Sequence, residues 1–489
     1  MKKIILSILL LCITVTIYGC NNDSQKERFE MFFSSLDETI TKDMVLPESF
    51  EDIPVSYYID EKKVEMINFI YTNKSLSMTL EVVLETEEQL KLSKKINMSP
   101  SEMMHNLYIT TEDEQEIVSK DDYINGKVSL ESDGVFAKED LEMRIKGRGN
   151  STWTFPKKPY KIKFDERQSL LGMAEAKEYV LLAEYNDKSL MRNYAAHYFS
   201  EFLNFDRHLE TRHVSLFINQ EYQGVYLLTE QVEVDENKLN IDQSDLFYGG
   251  FLIELEADER VGQEGIEDID WFRVDGRNFV IKSPDMEDYS QVVVNGKVNY
   301  MKDYLNNFLE SIENDTYDEY IDVDSFIDYF ILAEIFKQVD VGYSSVYAYK
   351  DVDSKLKMGP IWDFDISSGN GDYYDYGPEG YWVDYNPWFN QLIEKESFEI
   401  RYIRRFNEVV DLYFDQVITE IEYVSNALIP FASANFDTWD IMGTYVWPNP
   451  PEMVEADTYE KQIAYFKGYL SERVIWLENE LNTKGYYKD

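Results

Sequence analysis

The spacing of apolar and polar residues divides the chain into a strand-rich first part and a helix-rich second part. Apolar residues alternate with polar ones over residues 53–59 and 75–84, between clusters of turn-forming residues. This two-residue period is typical of half-buried strands, so it predicts a small, antiparallel, sandwich-like β domain over residues 41–103. Residues 21–34 begin with a polar run, and the interval 20–40 is predicted to be a linker.

From residue 104 to 485 the pattern predicts one long mixed domain. Strands are predicted at residues 106–110, 125–130, 142–147, 158–164, 178–183, 213–218, 224–229 and 250–256. Helices are predicted near 187–204 and at 322–339, 399–427 and 457–482, where apolar residues recur at helical spacing. Strands followed by helices favour an α+β fold over an alternating parallel sheet.

Composition indicates a folded, strongly acidic protein. Of the 489 residues, 44% are hydrophobic and 15% aromatic, which is ample material for a packed core. Asp and Glu number 93 against 47 Lys and Arg, a formal charge of −46. A field of this sign repels phosphate backbones, so no nucleic-acid partner is expected.

The first twenty residues resemble a bacterial lipoprotein signal. Lys2 and Lys3 precede an apolar run, and a glycine stands just before Cys20. We expect cleavage of residues 1–19 and acylation of Cys20, which would anchor an extracytoplasmic protein to the membrane through its lipid alone. An ordinary secretory signal and an uncleaved anchor are the alternatives.

Three acidic residues flank a predicted hairpin. The alternating segment after Asp340, the turn DVDS and a returning strand bring Asp340 and Asp363 to the same end, with Asp365 beside them. Converging carboxylates repel one another unless a cation compensates, and Mg²⁺ or Mn²⁺ prefers such oxygens. The spacing alone fits equally well three acids that merely cap or turn the chain.

A basic segment interrupts the acidic chain. Arg148 lies in a loop with Gly147 and Gly149, and Lys161 and Lys163 lie on one face of the next predicted strand. Such a segment could cradle a triphosphate, with the glycines letting backbone N–H groups approach the anion. A solvated basic strand beside a tight turn is the alternative. No zinc-hydrolase, P-loop or α/β-hydrolase motif occurs.

Several motifs together resemble the spore-coat-H (CotH) kinase family. They are KGRGNSTW (146–153), KKPYKIKF (157–164), LLAEYNDKSLMRNYAA (181–196), GVYLLTEQV (224–232), GGFLIELE (249–256), VDVGYSSVYAYKD (339–351) and KLKMGPIWDFD (355–365). The resemblance spans residues 105–480. It implies an atypical, bilobal, secreted protein-kinase-like fold that uses ATP and Mg²⁺ or Mn²⁺ to phosphorylate Ser or Thr in coat or cell-surface proteins.

The resemblance also implies roles for individual residues. Asp340 takes the catalytic position and Asp363 the metal-binding one, Lys161 or Lys163 contacts phosphate together with Arg148, and Glu230 lies near the adenine. Some members carry Asn five or six residues after the catalytic Asp, where this chain has Ser345 and Val346, so Ser345 or Asp365 is the expected second metal ligand.

Two other functions stay open on the sequence. One is a surface-binding protein, such as an adhesin or scaffold, that keeps the kinase-like fold without turnover. The other is transfer of AMP from the same ATP site. The protein substrate is not identified by any motif.

Overall fold

The computed structural model describes residues 25–36, 39–40, 44–59, 62–64, 66–67, 76–86, 89–98, 105–131, 138–262, 266 and 269–483. The expected signal peptide and Cys20 lie outside these residues. The chain divides into two compact units, residues 1–69 with 75–99 and residues 70–74 with 100–489. Each unit is described by itself.

The N-terminal unit is built on a β-sheet. Its strands are β1 (Thr39–Ile40), β2 (Met44–Val45), β3 (Ser49–Phe50), β4 (Ile53–Ile59), β5 (Lys62–Val64), β6 (Met66–Ile67), β7 (Leu76–Leu84) and β8 (Leu90–Met98). The main sheet has the order β1-β8-β7-β4-β3 with β5 on β4, and β2 pairs with β6. The strands predicted at 53–59 and 75–84 are confirmed, but the β1–β8 pair is parallel, so the sheet is not wholly antiparallel.

Part of the predicted linker is a helix, α1 (Gln25–Ser35). Phe29 is fully buried in the core of this unit, and its ring lies 6.0 Å from that of Phe32 and 5.7 Å from that of Phe50. Phe29, Phe32 and Phe33 stand at i, i+3 and i+4, which forms an apolar helix face. The preceding polar residues obscured this periodicity.

The first part of the second unit is a closed β-barrel. Its strands are β9 (His105–Thr111), β10 (Ile124–Glu131), β11 (Lys138–Gly147), β12 (Tyr160–Gln168), β13 (Ala176–Leu182), β14 (Thr211–Ile218) and β15 (Glu221–Glu230). They run in the order β10-β11-β12-β13-β15-β14-β9, and a parallel β14–β9 pair closes the ring. Alternate residues such as Ile145 and Ile162 fill the interior, which leaves Lys161 and Lys163 on the outer face of β12.

A five-stranded sheet follows the barrel along the chain. Its strands are β16 (Phe251–Glu256), β17 (Trp271–Val274), β18 (Arg277–Ser283), β19 (Val346–Lys350) and β20 (Lys357–Met358). The order is β17-β18-β16-β19-β20. The central strand β16 therefore lies directly beside the β19–β20 hairpin.

Helices form the large core of the second unit. They are α2 (Arg192–Ser200), α3 (Gln291–Glu313), α4 (Val323–Phe336), α5 (Phe389–Leu392), α6 (Glu396–Val409), α7 (Asp415–Thr438), α8 (Pro451–Glu455) and α9 (Tyr459–Thr483). Helix α4 is buried along almost its whole length, as its nearly continuous apolar sequence predicts. The helix predicted at 399–427 is two, α6 and α7, joined by a π-helical turn over Val410–Phe414.

With 37% helix and 27% strand, the chain has the predicted α+β character. The predicted strands between residues 106 and 256 are all present. The second unit also holds α3, which sequence inspection did not predict. Among the described residues, no helix combines the length and apolar character needed to cross a membrane.

Candidate active site

A pocket of about 410 Å³ lies between the barrel and the five-stranded sheet that contains β16. Its walls come from the loop after β11, strand β12, the segment after β13, strand β16 and the segments on both sides of the β19–β20 hairpin. Six of the residues singled out in the sequence line it, namely Arg148, Lys161, Asp340, Ser345, Asp363 and Asp365. Segments distant in sequence therefore meet here.

The predicted hairpin is present and brings the acids together. Ala348 pairs with Met358 and Tyr349 with Lys357. Asp340 lies in a 3-10 turn before the first strand and Asp363 follows the second. Both carboxylates consequently line the same pocket.

Burial and mutual repulsion disfavour the charged forms of two of these acids. Burial, reinforced by repulsion from the nearby Asp363 and opposed by Arg260, raises the pKa of Asp340 to about 7. Burial likewise raises the pKa of Asp365 to about 8, again reinforced by Asp363. The pocket thus holds acids whose charged forms are disfavoured because solvent cannot fully screen them.

Three non-glycine residues of the pocket have left-handed backbone conformations. The φ angles are 50° at Glu184, 61° at Ser345 and 68° at Asp363. The Ser345 hydroxyl donates a hydrogen bond to Asp363 Oδ2 at 3.0 Å. Backbone strain of this kind costs about 1–3 kcal/mol per residue and clusters at functional sites.

The two predicted phosphate lysines share one acidic partner. Lys161 Nζ lies 2.5 Å from one oxygen of Glu178, and Lys163 Nζ lies 2.7 Å from the other. Lys161 lines the pocket, whereas Lys163 lines a separate depression beside Arg144 and Asp165. Of the two, only Lys161 is placed to meet a ligand in the pocket.

Glu230 does not line the pocket. It is buried at the end of β15, where its carboxylate accepts two hydrogen bonds from Arg207, both 2.6 Å, and a third from the Glu210 backbone N–H. Its neighbour Gln231 lines the pocket instead. The carboxylate of Glu230 is therefore engaged within the protein.

Arg148 faces the pocket through its side chain. Its guanidinium lies 5.3 Å from the centre of the Trp362 ring, and it forms no ion pair with any residue that the structure describes. Lys146, another pocket residue that sequence inspection gave no separate role, lies over the Tyr123 ring at 4.8 Å. Unlike Lys161, neither of these two cations forms an ion pair with a described residue.

Gly147 in the basic loop is closely packed, and its N–H group and that of Arg148 bond to backbone carbonyls. The Gly147 and Arg148 N–H groups donate to the carbonyls of Ser119 and Pro159. A Cβ at Gly147 would lie 2.3 Å from the Trp153 ring. These two N–H groups are therefore already hydrogen-bonded within the protein, and the approach of other backbone N–H groups of this loop to an anion stays a prediction.

Sequence inspection missed Glu184, a buried acid that lines the pocket. Its Oε1 accepts a hydrogen bond from Asn193 at 2.9 Å, while its buried Oε2 has no partner among the described residues. Burial, with repulsion from Asp187 and Asp365, raises its pKa well above the ordinary value. The signal was a charged residue two positions after the apolar strand β13, within a motif that was quoted only for its resemblance.

The acidic side chains fit a cation that uses few protein ligands. No group of three or more His, Cys, Asp or Glu side chains in the described parts of the chain is arranged to hold a metal ion. Mg²⁺ commonly takes one or two protein carboxylates and completes its shell with water and phosphate. Asp363 and Asp365 supply that donor chemistry.

An α+β domain in which a carboxylate-lined pocket faces cationic residues is consistent with a phosphoryl-transfer protein. The family model described as CotH kinase protein matches residues 145–477, and the chain belongs to this family. The match covers most of the second unit and indicates a kinase-like function. A search among curated proteins finds no match.

Proposed function

We propose that the protein is an ATP-dependent kinase that transfers the γ-phosphoryl group to Ser or Thr of proteins outside the cytoplasm, with Mg²⁺ or Mn²⁺ as the metal. The observation that carries this proposal is the meeting of Asp340, Asp363 and Asp365 with Arg148 in one pocket. Phosphoryl transfer needs cations for the phosphates and a carboxylate for the acceptor hydroxyl.

Asp340 is proposed to orient the acceptor hydroxyl. The γ-phosphoryl group would pass from the ADP oxygen to the hydroxyl oxygen, and the hydroxyl proton would pass to the Asp340 carboxylate. A raised pKa of about 7 matches a general base that works near neutral pH.

Arg148 and Lys161 are proposed to bind the phosphates. Arg148 faces the pocket without a carboxylate partner among the described residues, so binding a phosphate breaks no ion pair. Lys161 must share its charge with Glu178, which holds it at the pocket wall.

Asp363 and Asp365 are the proposed metal ligands. A divalent cation bound there would neutralise charge on the phosphates. Ser345 holds Asp363 in place through its hydroxyl, and this contact supports a positioning role where some family members carry Asn. The two-lobed, kinase-like arrangement is part of the same proposal.

The location rests on the N-terminal sequence. An acyl group on Cys20 would tether the protein to a membrane outside the cytoplasm, and the acceptor would be a surface or spore-coat protein.

A non-catalytic binding role is the second candidate. The observation that favours it is the pairing of both Lys161 and Lys163 with Glu178, which leaves fewer free cations for a triphosphate. A binding protein of this kind would keep the fold but would not turn over ATP.

Incubation of the purified protein with ATP labelled at either the α- or the γ-phosphate, with Mn²⁺ or Mg²⁺, tests the proposal. The kinase predicts covalent label from the γ-position only. Label from the α-position would instead indicate AMP transfer. Absence of label from both, with no ATP binding at millimolar concentration, would contradict both reactions.

A further inference from the structure

Glu184 is a buried acid whose charge the described residues compensate only in part. Its side chain is 6% exposed and lines the pocket, and Oε2 has no hydrogen-bond partner in the part of the chain that the structure describes. An unpaired carboxylate oxygen that is buried costs free energy unless a cation or a proton satisfies it. This oxygen is therefore available to a ligand.

The local backbone holds Glu184 in position. It follows strand β13 with a φ of 50°, and Asn193 of helix α2 donates to its Oε1 at 2.9 Å. An unfavourable backbone angle and an oriented amide fix one carboxylate oxygen and leave the other unpaired. Asp365 lines the same pocket, and its Oδ2 accepts a hydrogen bond from Asn186 at 3.1 Å.

The lysine that attracts Glu184 and the arginine next to Asn193 both bind other groups. Lys157 exerts an attraction on Glu184, but its Nζ donates to the Val225 carbonyl at 2.5 Å and to Asn435 Oδ1 at 2.9 Å. Arg192 forms an ion pair with Asp187. Glu184 has no ion pair among the residues that the structure describes.

We propose that Glu184 and Asp365 form a divalent-cation site on their side of the pocket, which takes Mg²⁺ or Mn²⁺ in the absence of nucleotide. Two carboxylates and water suffice for such an ion, in keeping with hard cations that prefer oxygen ligands. The inference concerns the pocket of the proposed function but requires neither ATP nor phosphoryl transfer.

Titration of the purified, nucleotide-free protein with Mn²⁺, followed by the electron paramagnetic resonance signal of the free ion, tests this site. Glu184→Gln keeps an acceptor for Asn193 and removes the charge. We expect it to weaken Mn²⁺ binding at one site by at least about tenfold, because one of two charged ligands is lost. Asp365→Asn should cause the same loss.

Asp121→Asn is the matched control. Asp121 lines the same pocket but is exposed, so this change removes an equal charge from the rim. Mn²⁺ binding should change by less than about twofold, because solvent screens an exposed charge. In parallel, Mn²⁺ should raise the thermal midpoint of the wild type but not that of Glu184→Gln.

A Glu184→Gln protein that folds and binds Mn²⁺ like the wild type would overturn the inference and identify Glu184 as a neutral buried acid. Transfer of γ-label measured on the same samples separates the two proposals. Unchanged Mn²⁺ binding with intact transfer contradicts the Glu184 site alone. Loss of Mn²⁺ binding in the variant, with no transfer even by the wild type, contradicts the kinase alone.

Discussion

Asp365→Asn should stabilise the metal-free protein at alkaline pH. Asp365 is 9% exposed, and its pKa is raised to about 8 by burial and by Asp363. Asn retains an oxygen that can accept the hydrogen bond from Asn186 and removes the buried charge. The variant therefore loses a proposed metal ligand and gains stability.

The magnitude follows from the raised pKa of Asp365. A rise in pKa from 3.8 to about 8 means that the charged carboxylate destabilises the folded state by about 5–6 kcal/mol at pH 8. This uses about 1.4 kcal/mol for each pKa unit. Relaxation and water entry reduce such costs, so we expect a gain of about 2–4 kcal/mol in the free energy of unfolding. For a unit of this size the thermal midpoint should rise by about 2–5 °C.

The gain should depend on pH in a defined direction. The folded-state pKa of Asp365 lies above its unfolded value, so the penalty is absent below about pH 4 and grows until about pH 8. Thermal unfolding of wild type and variant in a chelator, at pH 5 and pH 8, measures it. Asp457→Asn, which alters an exposed pair with Lys461, should change little. Equal stability of Asp365→Asn and wild type at pH 8, or the same gain at both pH values, would refute this reasoning.

Three further predictions concern stability and location. Glu334→Gln should lower the free energy of unfolding in a denaturant titration by about 3–5 kcal/mol, because it leaves the fully buried Arg473 without its counter-ion; a loss below about 1 kcal/mol would contradict this. Burial lowers the pKa of His197 to about 3, so its contribution to stability should be lost as pH falls from about 6.5 to 3, and His197→Leu should flatten the pH dependence of unfolding. The same pH dependence of unfolding in His197→Leu as in the wild type would contradict this prediction. Cys20→Ser should release the protein from the membrane fraction after alkaline washing, and continued sedimentation with membranes would exclude the lipid as its anchor.

Local sequence patterns predicted individual elements better than their assembly. The two-residue period located the barrel strands, and the turn DVDS located the hairpin that joins Asp340 to Asp363. Closure of the barrel depends on a parallel β9–β14 pair about a hundred residues apart in sequence, which no local period encodes.

For the active site, too, the sequence predicted which residues take part better than it predicted their contacts. Residue types and motif order pointed to Arg148 and the three aspartates, all of which line the pocket. The pairing of Lys161 and Lys163 with one carboxylate arises from cross-strand neighbours on β12 and β13, and it could not be read from either strand alone. The left-handed backbone at Glu184 likewise depends on tertiary packing.

Separate measurement of ATP binding and γ-phosphoryl transfer by Asp340→Asn tests the central claim most directly. If Asp340 orients the acceptor hydroxyl, ATP affinity should stay near that of the wild type while transfer falls by about two to four orders of magnitude. Asp353→Asn is the matched control, since Asp353 is exposed in the turn of the same hairpin. Transfer by Asp340→Asn at the wild-type rate, with the control also unchanged, would contradict the proposed catalytic role.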